Sequence, residues 1–229
     1  MATYKELTDK RLLACAAFVS GGGIVCDVGT DHAYLPCYLV KNGICKRAVA
    51  ADVNPSPLRA AKENILKAGL EESIETVLSD GLDGISPKGV TDVIIAGMGG
   101  ELIADILGRA KAFYSGARFI LQPMTKPERL RGWLWDNGFE IAAETACKED
   151  IYYTVMLAKY TGKNTCCTVA QCYIGALKGN TDDDKGYILK QAERLRKKGE
   201  GMKKSDPSST EAQEYLRLAD VLEEYIKQG

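Results

Sequence analysis

The chain has 229 residues, a length typical of one domain of ordinary size with an appended segment. Hydrophobic residues make up 45% of it and charged residues 27%, which is the composition of a globular protein. The formal net charge of −1 favours no class of partner, so any surface that binds nucleic acid must be local. No apolar run approaches the ~20 residues of a membrane span, and we expect no membrane association.

The cysteine and histidine content argues against a metal site. There are eight cysteines and one histidine, and no two cysteines form a CxxC pair. A chain of this size that is rich in aliphatic residues needs no disulfides for stability. We therefore expect reduced thiols, no bound metal and a cytoplasmic protein.

Taken in chain order, the predicted elements alternate between helix and strand. The first is an amphipathic helix within residues 5–20, with Thr8 or Asp9 as its N-cap and Gly21-Gly22-Gly23 at its end. Five short apolar runs predict the strands Ile24–Val28, Ala48–Asp52, Ile74–Leu78, Asp92–Ala96 and Arg118–Leu121. Helices are predicted over Pro57–Ala68, Glu101–Ala112 and Pro127–Asn137.

Two more strands close this part of the chain, over Phe139–Thr145 and Tyr152–Ala158. They leave no room for a helix between them, so we expect an antiparallel hairpin near residues 147–151. The continuous Val, Ile and Ala runs of the earlier strands indicate a parallel sheet that helices cover on both faces. The prediction is an α/β fold with a seven-stranded, doubly wound, Rossmann-like sheet.

After Tyr160 the pattern becomes helix, break, helix. Apolar stripes predict helices over Lys185–Lys198 and Thr210–Gln228. The predicted break contains Gly199, Gly201 and residues 206–209. Two antiparallel helices with a short connection form a helical hairpin, so we predict two domains, residues 1–160 and residues 161–229.

The first helix of this hairpin is basic. Between Lys185 and Lys204 there are eight Lys or Arg residues and two Glu residues. Such a segment creates a local positive field that attracts RNA phosphates, although a charge run is often only a solvated face. Both interpretations are open at this stage.

The ends of the predicted parallel strands carry the chemistry, because ligands of such sheets bind outside the carboxyl ends of the strands. Four strands in order end in Asp27-Val28-Gly29, Asp52, Asp80 and Gly97-Met98-Gly99-Gly100. The phosphate-binding pattern GxGxxG is absent and the carboxylates would repel phosphates. S-adenosylmethionine, which carries cationic groups and no phosphate, fits this pattern.

Each strand end has an expected role toward that cofactor. Asp52 is expected to accept hydrogen bonds from the ribose hydroxyls, and Asp80 from the amine of the adenine ring. Gly97 begins the segment where the methyl group and its acceptor would meet, because small residues there leave room for a flat base. Any one acid taken alone could instead be a helix cap or a turn residue.

Four motifs together resemble the bacterial tRNA (adenine-N1)-methyltransferases that act on position 22. They are Asp27-Val28-Gly29-Thr30-Asp31-His32-Ala33-Tyr34-Leu35-Pro36, Ser79-Asp80-Gly81-Leu82, Ile95-Ala96-Gly97-Met98-Gly99-Gly100 and Leu121-Gln122-Pro123. The DHAYLP string is the most specific of them. The resemblance covers residues 5–160 well, whereas residues 161–229 match in layout more than in motif.

This resemblance implies a class I methyltransferase core and a C-terminal helical domain that helps to hold tRNA. The cofactor-binding residues that we predict are Asp27, Gly29, His32, Tyr34, Asp52, Val53, Asp80, Gly81, Leu82 and Gly97. The residues implied to face the target base are Asp31, Met98 and Gln122. We expect tRNA as the partner of a monomer or weak homodimer.

The chemistry that the resemblance implies needs no metal and no covalent nucleophile. N1 of adenine has an in-plane lone pair that can attack the sulfonium methyl directly, so proximity and negative potential would dominate. Asp31 would supply that potential or merely cap its turn. His32 would act as a general base or hold a fixed hydrogen bond, and Tyr34 would stack on a base or pack under the loop.

Two other classes of function share the cofactor site. One is a methyltransferase that acts on a small molecule or a protein, and the other is a non-catalytic nucleoside-binding protein of the same fold. The first of these differs from a tRNA methyltransferase in the acceptor, and the second differs in that no methyl group is transferred.

Overall fold

The computed structural model describes residues 6–228 and contains a seven-stranded sheet in the order β3-β2-β1-β4-β5-β7-β6. The strands are β1 (Ile24–Val28), β2 (Arg47–Asp52), β3 (Ile74–Leu78), β4 (Val90–Gly99), β5 (Arg118–Thr125), β6 (Phe139–Lys148) and β7 (Tyr152–Tyr160). The first five strands are parallel, and β7 pairs antiparallel with both β5 and β6. The predicted fold class and the closing hairpin are confirmed.

Helices cover both faces of the sheet, as the buried strands require. One face packs against α1 (Lys10–Ala17), α2 (Tyr34–Lys41) and α3 (Pro55–Ala68), and the other against α4 (Gly100–Arg109) and α5 (Pro127–Asp136). The chain crosses from one face to the other between β3 and β4, where the connection, residues 79–89, contains no helix. This crossing creates the switch point at which such folds bind ligands.

Two helices were not predicted from the sequence. The first, α2, begins directly after the DHA segment, and its Pro36 hides it from a periodicity search. Because Pro36 is the third residue of the helix, its missing N–H would have no intrahelical partner in any case. The second, α6 (Val169–Ile174), is short and starts with a capping box in which Thr168 and Gln171 exchange hydrogen bonds.

The first predicted helix is shorter than expected and starts after Asp9, whose side chain accepts a hydrogen bond from the Arg11 amide. Residue 5, where that prediction began, lies outside the part of the chain that the structure describes, as do residues 1–4 and 229 of the predicted domains. Between residues 6 and 228 no helix is long and apolar enough to cross a membrane.

The C-terminal segment forms the predicted helical hairpin, with one difference. Helix α7 (Asp182–Ser205) continues through the predicted break at Gly199 and Gly201, and α8 (Thr210–Gln228) packs along it. Gly199 is buried at the crossing point, where a Cβ atom would lie 2.9 Å from the Ala212 carbonyl oxygen. The glycine therefore permits close helix packing rather than ending the helix.

Candidate active site

A cavity of about 670 Å³ opens at the carboxyl edge of the sheet, above the ends of β1, β2, β3 and β4. Ten of the thirteen residues that the sequence singled out line it: Asp27, Gly29, Asp31, Tyr34, Asp52, Val53, Asp80, Gly81, Gly97 and Met98. They come together because parallel strands place their carboxyl ends at one edge. Their individual roles stay predictions.

The turn after β1 is held against β2 by backbone hydrogen bonds. The amides of Gly29 and Thr30 both donate to the Ala51 carbonyl, at 2.8 and 2.9 Å. Two residues of the turn, Asp31 and Ala33, have left-handed backbone angles with φ of 49° and 55°. L-residues adopt this conformation at a cost, so the fold holds the Asp31 carboxylate at the cavity in a strained turn.

Two buried carboxylates form the floor of the cavity. Asp27 is 5% exposed, and burial raises its pKa to about 6, with the nearby Asp52 carboxylate acting in the same direction. Asp52 is 9% exposed, and its Oδ1 accepts a hydrogen bond from the Asn54 amide at 2.7 Å. Beside them lies the buried Thr30 hydroxyl, whose hydrogen bond to the Asp27 carboxylate partly offsets the rise in its pKa.

The segment after β3 places Asp80 at the cavity, and a side chain of α4 holds its carboxylate there. Arg109, in the last turn of α4, donates to Asp80 Oδ1 at 3.1 Å and also pairs with Asp83. Gly81 has a φ of 59°, and a Cβ atom there would lie 2.9 Å from Ile106 Cγ2. This close contact with α4 explains why a glycine follows the carboxylate.

The end of β4 brings Met98 over the first turn. A Cβ atom at Gly29 would lie 2.3 Å from the Met98 methyl carbon, so Gly29 makes room for that side chain. Gly97, with a φ of 78°, donates its amide to Gln122 Oε1 at 3.0 Å. The irregular end of β4, where the register shifts between Ala96 and Met98, is thereby tied to β5.

Three predicted residues do not line the cavity. Gln122 is fully buried in β5, where its side chain donates to the Pro123 carbonyl and accepts a hydrogen bond from the Gly97 amide. Leu82 is 3% exposed and belongs to the hydrophobic core against α4. The His32 ring lies outside, with Nε2 at 3.5 Å from Asp31 Oδ1 and its centroid 5.4 Å from that of Tyr34.

Sequence reasoning missed a group of cavity residues that do not follow any strand. They are Glu6, Leu7, Thr8, Asp9, Arg11 and Leu12 at the start of the chain, and Leu102 and Ile106 in α4. The N-terminal group reaches the cavity because α1 packs beside the ends of β5 and β7, more than 100 residues away in sequence. An amphipathic pattern shows that a helix has a buried side, but not that its N-terminus borders a ligand site.

No group of three or more His, Cys, Asp or Glu side chains between residues 6 and 228 is arranged to hold a metal ion. The cysteines of this part of the chain are all free, and five of the eight are buried. The polar groups that line the cavity include six carboxylates and the Arg11 guanidinium.

A protein-family model described as a methyltransferase domain matches residues 8–156, which contain every predicted site residue. The chain belongs to this methyltransferase family. Its matched segment ends within β7, so the family model covers the sheet and leaves out α6, α7 and α8.

The chain is similar over about two thirds of its length to a bacterial enzyme. It is 40% identical over 153 residues to the tRNA (adenine(22)-N(1))-methyltransferase of Bacillus subtilis (strain 168). The alignment covers 66% of this chain and 64% of that protein, so the chain spans somewhat less than two thirds of the relative it matches. The resemblance found in the motifs is confirmed.

Solved structures extend the similarity to the C-terminal helices. A putative tRNA (m1A22) methyltransferase of Streptococcus pneumoniae, in complex with S-adenosyl-L-methionine, is 32% identical with a TM-score of 0.81. The match covers 96% of this chain and 100% of the S. pneumoniae chain. TrmK of M. capricolum, in complex with S-adenosyl-homocysteine, is 26% identical with a TM-score of 0.80, and the match covers 97% and 99% of the two chains.

Proposed function

We propose that this protein transfers a methyl group from S-adenosylmethionine to N1 of an adenine in tRNA, at position 22. One observation carries the proposal: the ends of four parallel strands bring Asp27, Asp52, Asp80 and Gly97 to a single cavity. The similarity to enzymes named for this reaction supports the choice of acceptor.

The hydrogen-bonding groups that line the cavity suit the proposed cofactor. Asp52 and Asp80 would hold its ribose and adenine, because a carboxylate accepts hydrogen bonds from hydroxyl and amine groups. Asp27 and the buried Thr30 hydroxyl would receive its amino acid end, where an ammonium group matches a buried carboxylate. When bound, S-adenosylmethionine supplies an electrophilic methyl group on a sulfonium.

The residues around the β4 end would position the acceptor. N1 lies on the pairing edge of adenine, so the nucleotide must be extruded before it enters the cavity. Asp31 would supply negative potential beside the adenine while positive charge develops on that base during methyl transfer. Met98 would fix the position of the adenine ring. Gln122 would act indirectly by fixing the Gly97 backbone.

Helix α7 would contact the tRNA backbone, although part of its charge is used inside the hairpin. Arg196 pairs with Asp220 and Glu223 of α8, and the Lys198 ammonium lies 4.0 Å from the centroid of the Tyr215 ring. The exposed lysines of α7 that have neither an ion pair nor an aromatic contact among residues 6–228 are Lys197, Lys203 and Lys204. We propose that the protein works in the cytoplasm as a monomer or weak homodimer, with residues 161–229 as its RNA-contacting domain.

The proposal is tested by incubating the protein with unmodified tRNA and methyl-labelled S-adenosylmethionine, followed by nucleoside mass spectrometry. We expect labelled N1-methyladenosine, which disappears when adenine 22 of the transcript is replaced by guanine. Label on another atom of the RNA would overturn the proposed acceptor atom, and an RNA without label would overturn the proposal and favour a small-molecule or protein acceptor. Cofactor binding without any transfer would identify a non-catalytic protein.

Cofactor titration of three variants tests the site itself. Asp52→Ala and Asp80→Ala should each weaken cofactor affinity about tenfold or more, which corresponds to ~1.4 kcal/mol or more. Asp83→Ala is the matched control, because Asp83 shares Arg109 with Asp80 but does not line the cavity. Equal affinity in all three variants would remove both carboxylates from the cofactor site.

A further inference from the structure

We infer that Arg11 binds a phosphate group next to the target adenosine and so positions the extruded nucleotide; this inference rests on the proposed function. The cavity wall carries six carboxylates, those of Glu6, Asp9, Asp27, Asp31, Asp52 and Asp80. Among the cavity residues that the structure describes, Arg11 has the one Lys or Arg side chain. An RNA phosphate that approaches this wall is repelled unless Arg11 neutralises it.

The Arg11 guanidinium is held in place but retains capacity for another acceptor. Its Nε and Nη2 donate to the two carboxylate oxygens of Asp9, at 3.1 and 2.6 Å. Its Nη1 is directed at the Met124 sulfur, at 2.7 Å. A thioether is a weak acceptor, and a guanidinium has five N–H donors in all. Arg11 can therefore donate hydrogen bonds to an anionic ligand while it keeps its hydrogen bonds to Asp9.

Burial also suits a ligand-binding role. The Arg11 side chain is 22% exposed and lies over the Tyr153 ring, with Cζ at 5.2 Å from the ring centroid. A guanidinium fixed in this way loses little conformational freedom when it binds. Arginine also matches a phosphate with two parallel hydrogen bonds.

The position of Arg11 in the fold assigns it to the acceptor rather than to the cofactor. Met124, which it contacts, follows Pro123, and Pro123 pairs in register with Met98 at the end of β4. The carboxylates proposed to hold the cofactor come from β1, β2 and the segment after β3, on the other side of β4 in the sheet. The guanidinium thus borders the half of the cavity where the base would enter.

The variants Arg11→Gln and Arg11→Lys test the inference, with Lys10→Gln as the matched control. Lys10 is the neighbouring residue, its removal changes the charge equally, and it does not line the cavity. For Arg11→Gln we expect kcat/KM for tRNA to fall about tenfold or more, while the dissociation constant of S-adenosylmethionine changes by less than about twofold. Arg11→Lys should recover part of the loss, and Lys10→Gln should match the wild-type protein.

A chemically altered RNA tests the same contact with the wild-type protein, so the result does not depend on whether a variant folds. The charged phosphate on the 5′ or the 3′ side of the target adenosine is replaced by a neutral methylphosphonate. At one of the two positions, kcat/KM of the wild-type protein should fall about as far as in Arg11→Gln. In Arg11→Gln the same replacement should have little further effect, because the two changes remove one interaction.

Three results would overturn the inference while leaving the proposed function intact. They are unchanged kcat/KM of an active wild-type protein on both altered RNAs, losses that multiply when variant and altered RNA are combined, and an Arg11→Gln effect that appears equally in cofactor affinity. Failure of the proposed function is recognised separately, because the wild-type protein would then methylate no unaltered tRNA.

Discussion

At the scale of single residues, Asp27 shows how the fold holds a charge ready for a ligand. It lies in the interior at the end of β1, and burial raises its pKa from 3.8 to about 6. The folded protein therefore binds this proton more tightly than the unfolded chain does. The contribution of Asp27 to stability is fully present below about pH 4 and is lost as the pH rises toward 6.

Replacing this carboxylate by an amide should raise the thermal stability of the protein and weaken its binding of the cofactor. At pH 7.5 we expect Asp27→Asn to unfold at a higher temperature than the wild-type protein, with a gain of at most about 3 kcal/mol for a shift of this size. At pH 4 the two proteins should differ little, because Asp27 is then protonated. The same variant should bind S-adenosylmethionine more weakly.

Thermal unfolding at the two pH values and calorimetric titration of the cofactor provide the measurement. A variant that is equally destabilised at both pH values would show that Asp27 has a packing role and no electrostatic cost. Unchanged cofactor affinity would remove Asp27 from the proposed site.

At the scale of elements, two glycines of α7 have opposite surroundings. A Cβ atom at Gly199 would lie 2.9 Å from both the Ala212 carbonyl oxygen and Leu216 Cγ, whereas at Gly201 it would meet no atom within 4 Å. Both positions are helical, so the intrinsic preference for alanine over glycine is the same. Their difference isolates the cost of separating α7 from α8.

We expect Gly201→Ala to stabilise the protein by up to about 1 kcal/mol, the helix propensity difference between the two residues. Gly199→Ala should destabilise it in spite of that gain, because the methyl group has backbone on one side and a leucine branch on the other. Urea unfolding of both variants measures the two effects. If Gly199→Ala were as stable as Gly201→Ala, the close packing of the hairpin at this point would be disproved.

At the scale of the whole molecule, hydrogen bonds around a buried ion pair connect the sheet and α5 to the C-terminal helices. Arg131 of α5 donates to Glu144 of β6 at 2.6 Å, and both side chains are fully buried. Arg131 also donates to the Cys172 carbonyl of α6 at 2.7 Å and to the Tyr187 hydroxyl of α7 at 3.2 Å. The predicted domain boundary at residue 160 stays a prediction, and this network packs tightly across it.

Breaking this pair should be costly, because a buried carboxylate and backbone carbonyls would lose their partner. We expect Arg131→Met to lower the free energy of unfolding by about 3–5 kcal/mol. The control is Arg196→Met, which removes an exposed pair within the hairpin and should cost less than about 1 kcal/mol.

Chemical unfolding at pH 7.5 measures both variants of this pair. The double variant Arg131→Met/Glu144→Leu should regain part of the loss, since it leaves no charge unpaired. Equal effects of Arg131→Met and Arg196→Met would contradict the importance of the buried network. For the same reason, cutting the chain at residue 160 would be a poor test of RNA binding, because it would expose Arg131 and Glu144.

Much of the fold followed from local patterns. The strands Ile24–Val28 and Ile74–Leu78 were predicted to the residue, and the closing hairpin was placed correctly. Periodicity indicates which side of a segment is buried, and that is a property of a few adjacent residues. The same reasoning missed α2 and ended α7 too early, because Pro36 and Gly199 usually interrupt helices and only their positions in this fold make them acceptable.

The amino-acid sequence by itself therefore determined the fold class, the family motifs and the strand ends where the carboxylates of Asp27, Asp52 and Asp80 meet. It could do so because parallel strands bring their carboxyl ends to one edge wherever they lie in the chain. Only the tertiary structure decided that Gln122 is buried against the end of β4, that His32 lies outside the cavity, and that Arg11 reaches it. Those positions depend on packing between segments such as α1 and β5, which are about 100 residues apart, and no local pattern of residues records such a contact.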